Sequence, residues 1–177
     1  MQREQFEHIL RAAGDVLLEQ VLIVIGSQAI LGSVADPPPA AARSIEVDIL
    51  PIGDADESKS DRVDGAIGEA SRFQERHGVY AQGVGLGTAR LPDGWRDRLV
   101  PFCNENTNGV TGLCLEPHDL VVSKLLAGRT KDLDFSKELL SAQIVRRQVL
   151  EERLGKVPNL TAQEHATVLG FLKRVAR

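Results

Sequence analysis

A mixed α/β (α+β) core followed by a C-terminal helical segment is the fold class this sequence predicts, and three observations lead to it. Short β-branched runs at residues 21–25 and 44–50 alternate with stretches of helical periodicity as far as about residue 116. Beyond Pro117 every apolar stripe repeats at three or four residues, and no further strand pattern occurs. The composition, 42% hydrophobic and 26% charged over 177 residues, is that of a chain able to fill a core. The expected organisation is a core over residues 1–116 and a helical segment over 117–177 packed on it.

The elements follow in order. Phe6, Ile9, Leu10, Ala13, Val16 and Leu17 form the apolar stripe of an opening helix. The run from Val21 to Ile25 ends at Gly26, as a buried strand would. Ser27 is placed to cap a short helix through Gln28 to Leu31. Asp36-Pro37-Pro38-Pro39 has no place in a helix interior, so a loop leads to the second strand. That strand stops at Pro51 and Gly53.

Val63, Ile67, Ala70 and Phe73 then predict one helix over about 60–76, stopped by Gly78. A glycine-loosened strand is expected over 79–86. Residues 98–103 and 112–115 read as a hairpin. Leu120, Val121, Leu125 and Leu126 define a helix ending at Gly128. A second helix is expected from Asp132 through Leu139, Leu140, Ile144 and Val145 towards Leu154. Pro158 breaks it, and Thr161 with Glu164 forms a capping-box pattern opening a last helix to about Val175.

Composition also excludes several roles. Aromatic residues make up 4% of the chain, too few for stacking platforms along single-stranded nucleic acid. No apolar run reaches the ~18–20 residues that span a bilayer, so no membrane partner is expected. The N-terminal stretch lacks the apolar centre of a signal peptide, which makes the cytoplasm the default compartment. In that compartment Cys103 and Cys114 are expected as reduced, buried thiols. His8, His77, His118 and His165 are scattered and suggest neither a metal site nor a triad. Charge is uneven. Residues 1–116 carry 10 Lys and Arg against 18 Asp and Glu, whereas residues 117–177 carry 11 against 7. An acidic half suits a metal ion, and a basic half suits phosphates.

The chemistry gathers at three places. Glu46 and Asp48 alternate on the second strand, so both project to one face while Ile45, Val47 and Ile49 project to the other. Gly26-Ser27 ends the first strand, where glycine permits close backbone approach and serine adds a hydroxyl. Lys124 lies on a helix, Arg129 and Lys131 follow in a loop, and Asp132 opens the next helix, where capping of free amides is its alternative role. Two carboxylates near a glycine–serine turn and a lysine form a plausible Mg²⁺ and nucleoside triphosphate (NTP) site. Such a site points to nucleotidyl transfer.

Together Gly26-Ser27, Glu46-Val47-Asp48 and the segment Lys124-x-x-Ala127-x-Arg129-x-Lys131-Asp132-x-Asp134 resemble the minimal nucleotidyltransferases of the polymerase-β superfamily. The relatives of the AbiEii-type toxins are the nearest in pattern, and the likeness spans about residues 20–145. The resemblance implies a polymerase-β-like core with a mixed sheet, Mg²⁺, an NTP donor and, in toxin relatives, an RNA acceptor such as the 3′ end of tRNA. It implies that Gly26, Ser27, Gln28, Lys124 and Arg129 contact the triphosphate. Glu46 and Asp48 would hold the metal, and Asp48, Lys124 and Asp132 would act in catalysis. A protein hydroxyl is the other acceptor, and a cognate partner protein is expected if the chain belongs to a toxin–antitoxin pair. Two departures from the pattern stand out: Glu46 replaces the usual first Asp, and residues 79–86 carry no third carboxylate. They leave a second reading, a nucleotide-binding or antitoxin-like protein that keeps the fold without turnover.

Overall fold

The computed structural model describes residues 1–175; residues 176 and 177, the end of the expected helical segment, lie outside the described residues. Helix α1 (Arg3–Leu17) places Phe6, Ile9, Leu10, Ala13 and Leu17 on one buried stripe. Each of its large apolar side chains contributes on the order of 1.5–3 kcal/mol by leaving water. Strand β1 (Val21–Ile25) follows, then the short α2 (Ala29–Ser33) and β2 (Glu46–Leu50). Strands β3 (Tyr80–Gly83), β4 (Val100–Phe102) and β5 (Thr111–Cys114) complete a five-stranded sheet of order β3-β2-β1-β5-β4. The sheet is mixed: β1 runs parallel to β5 and antiparallel to β2, and β2 runs parallel to β3. The expected hairpin is present as the antiparallel β4–β5 pair.

Alternation along the strands gives the sheet two unlike faces. Leu22, Val24, Val47, Ile49 and Ala81 join the α1 stripe in the main core. Ile23, Ile25, Leu50 and Val84 form a smaller cluster on the opposite face, covered by Ala89, Trp95 and Leu99. Glu46 and Asp48 belong to this second face, which is only partly roofed, so their carboxylates reach a cleft.

The expected helix over 60–76 is two helices, α3 (Ser58–Ile67) and α4 (Arg72–His77). Gly68 approaches the Asp64 carbonyl so closely that an added Cβ would lie 2.3 Å from its oxygen, and Ala70 is left-handed at φ 59°. Ser71 then restarts the helix by accepting from the Gln74 amide at 3.2 Å. Strand β3 is shorter than expected because the chain leaves the sheet at Gly83 and turns through a 3-10 segment at Leu86–Thr88.

The remaining helices are α5 (Pro117–Ala127), α6 (Thr130–Ser141), α7 (Arg147–Leu154) and α8 (Ala162–Val175). The continuous helix expected from Asp132 to Leu154 is divided into α6 and α7. Gln143 turns left-handed at φ 56°, and His118 Nε2 accepts the Arg146 amide at 3.0 Å. The Thr161–Glu164 capping box forms as expected, with the Glu164 amide donating to Thr161 Oγ at 3.2 Å and the Thr161 amide to Glu164 at 2.9 Å. Leu120, Leu139, Leu150, Leu154 and Leu172 enter the same main core as the sheet. Among the described residues no helix is long and apolar enough to cross a membrane.

The cysteines correct one expectation. Cys114 is buried on β5, where burial pushes its thiol up to about 12, but Cys103 is exposed just beyond the end of β4. Both thiols are free.

Candidate functional site

Antiparallel pairing places Asp48 opposite Ile25, so the residue after β1, Gly26, meets the Asp48 side chain. Gly26 is left-handed at φ 70°, and a Cβ built on it would lie 1.6 Å from Asp48 Oδ2. Glycine is therefore required twice here, by the backbone turn and by the carboxylate that occupies the side-chain space. Two residues earlier on the same face, Glu46 Oε2 accepts a hydrogen bond from the Tyr80 hydroxyl at 3.3 Å.

The two carboxylates are close enough to disturb each other. Desolvation, and then the neighbouring Glu46 charge, push the Asp48 carboxyl up to about 7, while the charges of Lys124 and Lys131 act in the opposite direction. Burial and the Glu46 charge also push the Tyr80 hydroxyl up to about 12. Like charges held together in a half-buried cleft mark a candidate functional site. Among the described residues no group of three or more His, Cys, Asp or Glu could hold a metal ion. Glu46 and Asp48 are the two carboxylates of the cleft, and such a pair would suit Mg²⁺, an ion commonly held by one or two carboxylates with phosphate and water completing its shell.

Opposite the carboxylates, α5 presents Leu120, Ser123, Lys124 and Ala127 to a cleft of about 230 Å³ that also contains Ser27, Gln82, Thr88, Arg129 and Lys131. Lys124 and Arg129 are anchored by one residue. Asp132 is 2% exposed and receives Arg129 Nε at 2.6 Å and Lys124 Nζ at 3.3 Å. Desolvation pushes the Asp132 carboxyl up, but the Arg129 hydrogen bond and the two positive charges outweigh it and hold it below the usual carboxylate range. It pairs with both cations, and the expected capping role is not realised. The N-cap of α6 is Arg129, which makes no side-chain cap bond.

Of the residues singled out from sequence, Gly26, Ser27, Glu46, Asp48, Lys124 and Arg129 line one cleft, with Asp132 directly behind Lys124 and Arg129. Gln28 does not join them. Its side chain is fully buried, and neither amide atom has a partner within the protein. Ser27 is also not a helix cap, because α2 begins after Gln28 without a side-chain cap bond. Sequence reasoning passed over Tyr80, Gln82, Thr88 and Ser123. Gln82 and Tyr80 were within reach of a strand-period argument, since Gln82 stands in register with Asp48 and Tyr80 with Glu46. Thr88 and Ser123 arrive through tertiary packing alone.

A mixed sheet that presents paired carboxylates beside a glycine–serine turn, backed by helices that carry cations, defines a nucleotidyltransferase fold with C-terminal helices. The chain belongs to the family described as nucleotidyltransferase of unknown function (DUF6036), whose model matches residues 4–164. No curated protein and no solved structure matches the chain.

Proposed function

We propose that the protein transfers a nucleoside monophosphate from an NTP to a hydroxyl acceptor, with Glu46 and Asp48 holding Mg²⁺. The observation that carries this reading is the seating of the Asp48 carboxylate in the space of the missing Gly26 side chain, with Glu46 on the same face. Bound there, Mg²⁺ would supply Lewis-acid neutralisation of the phosphate oxygens. In the transfer, the acceptor oxygen bonds to the α-phosphorus and the bond from that phosphorus to the bridging oxygen breaks. The electron pair leaves with pyrophosphate. The acceptor proton passes to the Asp48 carboxylate and on to solvent.

Lys124 and Arg129 bind phosphate oxygens, and Asp132 positions both. Ser27 offers its hydroxyl to the phosphates from the other side of the cleft. Support for an RNA acceptor, such as the tRNA 3′ end, comes from the excess of Lys and Arg in residues 117–177. A protein hydroxyl is the other acceptor class, and a toxin–antitoxin setting with a cognate partner protein is the context suggested by the AbiEii-like pattern.

A second reading is favoured by one observation. Gln82, which is neutral, stands in register with Asp48 where a third carboxylate would complete the metal ligands. In that reading the protein binds nucleotide without turnover. Incubation with Mg²⁺, α-labelled NTPs, total RNA and candidate partner proteins separates the two. Transfer of label by wild type and its loss in Asp48→Ala support the enzyme. Equal transfer by Asp48→Ala would show that the metal site is misassigned, and binding without any transfer would establish the second reading.

A further inference from the structure

The two carboxylates of the cleft are held by different means. Asp48 is fixed by the backbone, its Oδ2 occupying the space left by the missing Gly26 side chain. Glu46 is half-buried and has one more rotatable bond, so its carboxylate needs a partner to stay at the cleft. Among the described residues Glu46 enters no ion pair, and its carboxylate accepts from one hydroxyl, that of Tyr80, at 3.3 Å.

The sheet sets Tyr80 in place. Strand β3 lies at the edge and runs parallel to β2, with Tyr80 in register with Glu46. The Tyr80 amide donates to the Ile45 carbonyl at 2.9 Å, which anchors its backbone one residue before Glu46. Residues aligned on neighbouring strands share a face, so the phenol extends beside the glutamate and its hydroxyl reaches Oε2. Tyr80 lies outside the cleft lining and therefore touches the carboxylate without facing the cleft itself. A hydrogen bond to one carboxylate oxygen leaves the other for a cation. The hydroxyl is also neutral, so it stabilises the ionised carboxylate without adding a charge that would repel that cation.

We propose that Tyr80 is the positioning residue of the cation seat, its hydroxyl bracing the Glu46 side chain so that the carboxylate stays beside Asp48. The brace offsets the extra methylene of Glu46, which an aspartate at that position would not carry. The proposal rests on the reading of Glu46 and Asp48 as Mg²⁺ ligands. Tyr80 acts through Glu46 alone and has no part in the transfer itself.

Tyr80 is the only tyrosine of the chain, so growth on 3-fluorotyrosine places fluorine at this one position of the full-length protein. Two measurements on that protein test the brace. In the first, the fluorine resonance is followed as Mg²⁺ or Mn²⁺ is added. It is expected to shift with Mg²⁺ and to broaden with about one equivalent of Mn²⁺, with both effects lost in Glu46→Gln. In the second, Mn²⁺ affinity is measured for unlabelled Tyr80→Phe, Glu46→Asp and the double variant. Tyr80→Phe is expected to weaken Mn²⁺ binding about tenfold when Glu46 is present. In the Glu46→Asp background, whose shorter carboxylate falls short of the hydroxyl, the same change should cost less than about twofold. An equal loss in both backgrounds would show that Tyr80 acts on the sheet and not on Glu46, and would overturn the proposal. A fluorine signal unmoved by Mg²⁺, in a protein whose Mn²⁺ affinity depends on Glu46, would overturn it too. Either result leaves the metal reading standing. If wild type binds no Mn²⁺, or binds it equally well in Glu46→Gln and Asp48→Asn, the metal reading and the brace fall together. The fluorine measurement keeps Tyr80 in place, so it decides the matter even if Tyr80→Phe folds poorly.

Discussion

Replacing Gly26 by alanine perturbs the site at its tightest point. The new methyl carbon would lie 1.6 Å from Asp48 Oδ2, 2.7 Å from its Cγ and 3.2 Å from its Cβ. It would also hold an L-residue at φ 70°, a conformation costing about 1–2 kcal/mol. Relief of the clash requires the Asp48 carboxylate to swing out of its place, adding about 1–2 kcal/mol of displaced packing and hydrogen bonding. Gly26→Ala is therefore expected to lose about 2–4 kcal/mol in urea denaturation and to lose Mg²⁺-dependent NTP binding. In an Asp48→Ala background the two nearest clashing atoms are gone, so the same substitution should cost only the backbone conformation. The double-mutant cycle then shows a coupling of about 1–2 kcal/mol. A cost for Gly26→Ala that is equal in both backgrounds would show that the Asp48 carboxylate does not sit against Gly26, and the proposed metal seat would be lost with it.

Two further predictions concern charge. The Asp48 carboxyl titrates at about 7 when folded against an ordinary value of 3.8, so the folded protein binds this proton more tightly than the unfolded chain. Its contribution to stability is fully present below pH ~4 and is lost as pH rises to ~7, a change of at most about 4 kcal/mol. Denaturation curves of metal-free protein across that range should show the slope, and Asp48→Asn should remove it. Added Mg²⁺ should restore stability at pH 7.5 and have no effect at pH 4. Asp132→Asn removes the ion-pair partner of Lys124. Removing one partner of a buried pair costs about 3–5 kcal/mol, and the exposure of Arg129 reduces the expected loss to about 2 kcal/mol. Denaturation and NTP calorimetry on that variant should both fall, and unchanged NTP affinity would remove Asp132 from its positioning role.

What could be read from the chain itself depended on the range of the interaction. Strand β1 is bounded as expected because a β-branched run meets Gly26, and the placement of Glu46 and Asp48 on one face follows from strand period alone. The long helix breaks were hidden. Ile144 and Val145 continue the spacing of Leu139 and Leu140, yet Gln143 turns the chain, and only the contact of Arg146 with His118 explains where α7 begins. Gln28 shows the opposite failure: its neighbour Ser27 faces the cleft, while packing of α2 against the sheet buries Gln28 completely. A groove beside the cleft, joining Arg43 to Lys137, depends on tertiary packing between segments almost a hundred residues apart, which no local pattern encodes.

The central claim is that Glu46 and Asp48 form one divalent-cation seat that an NTP shares. Titration of Mn²⁺ followed by electron paramagnetic resonance, with and without NTP, measures this directly. The account predicts one bound Mn²⁺ per chain whose affinity rises when NTP is present, with both effects lost in Asp48→Asn and weakened in Glu46→Gln. Binding of Mn²⁺ that is unchanged in both variants, or that is indifferent to NTP, would contradict it.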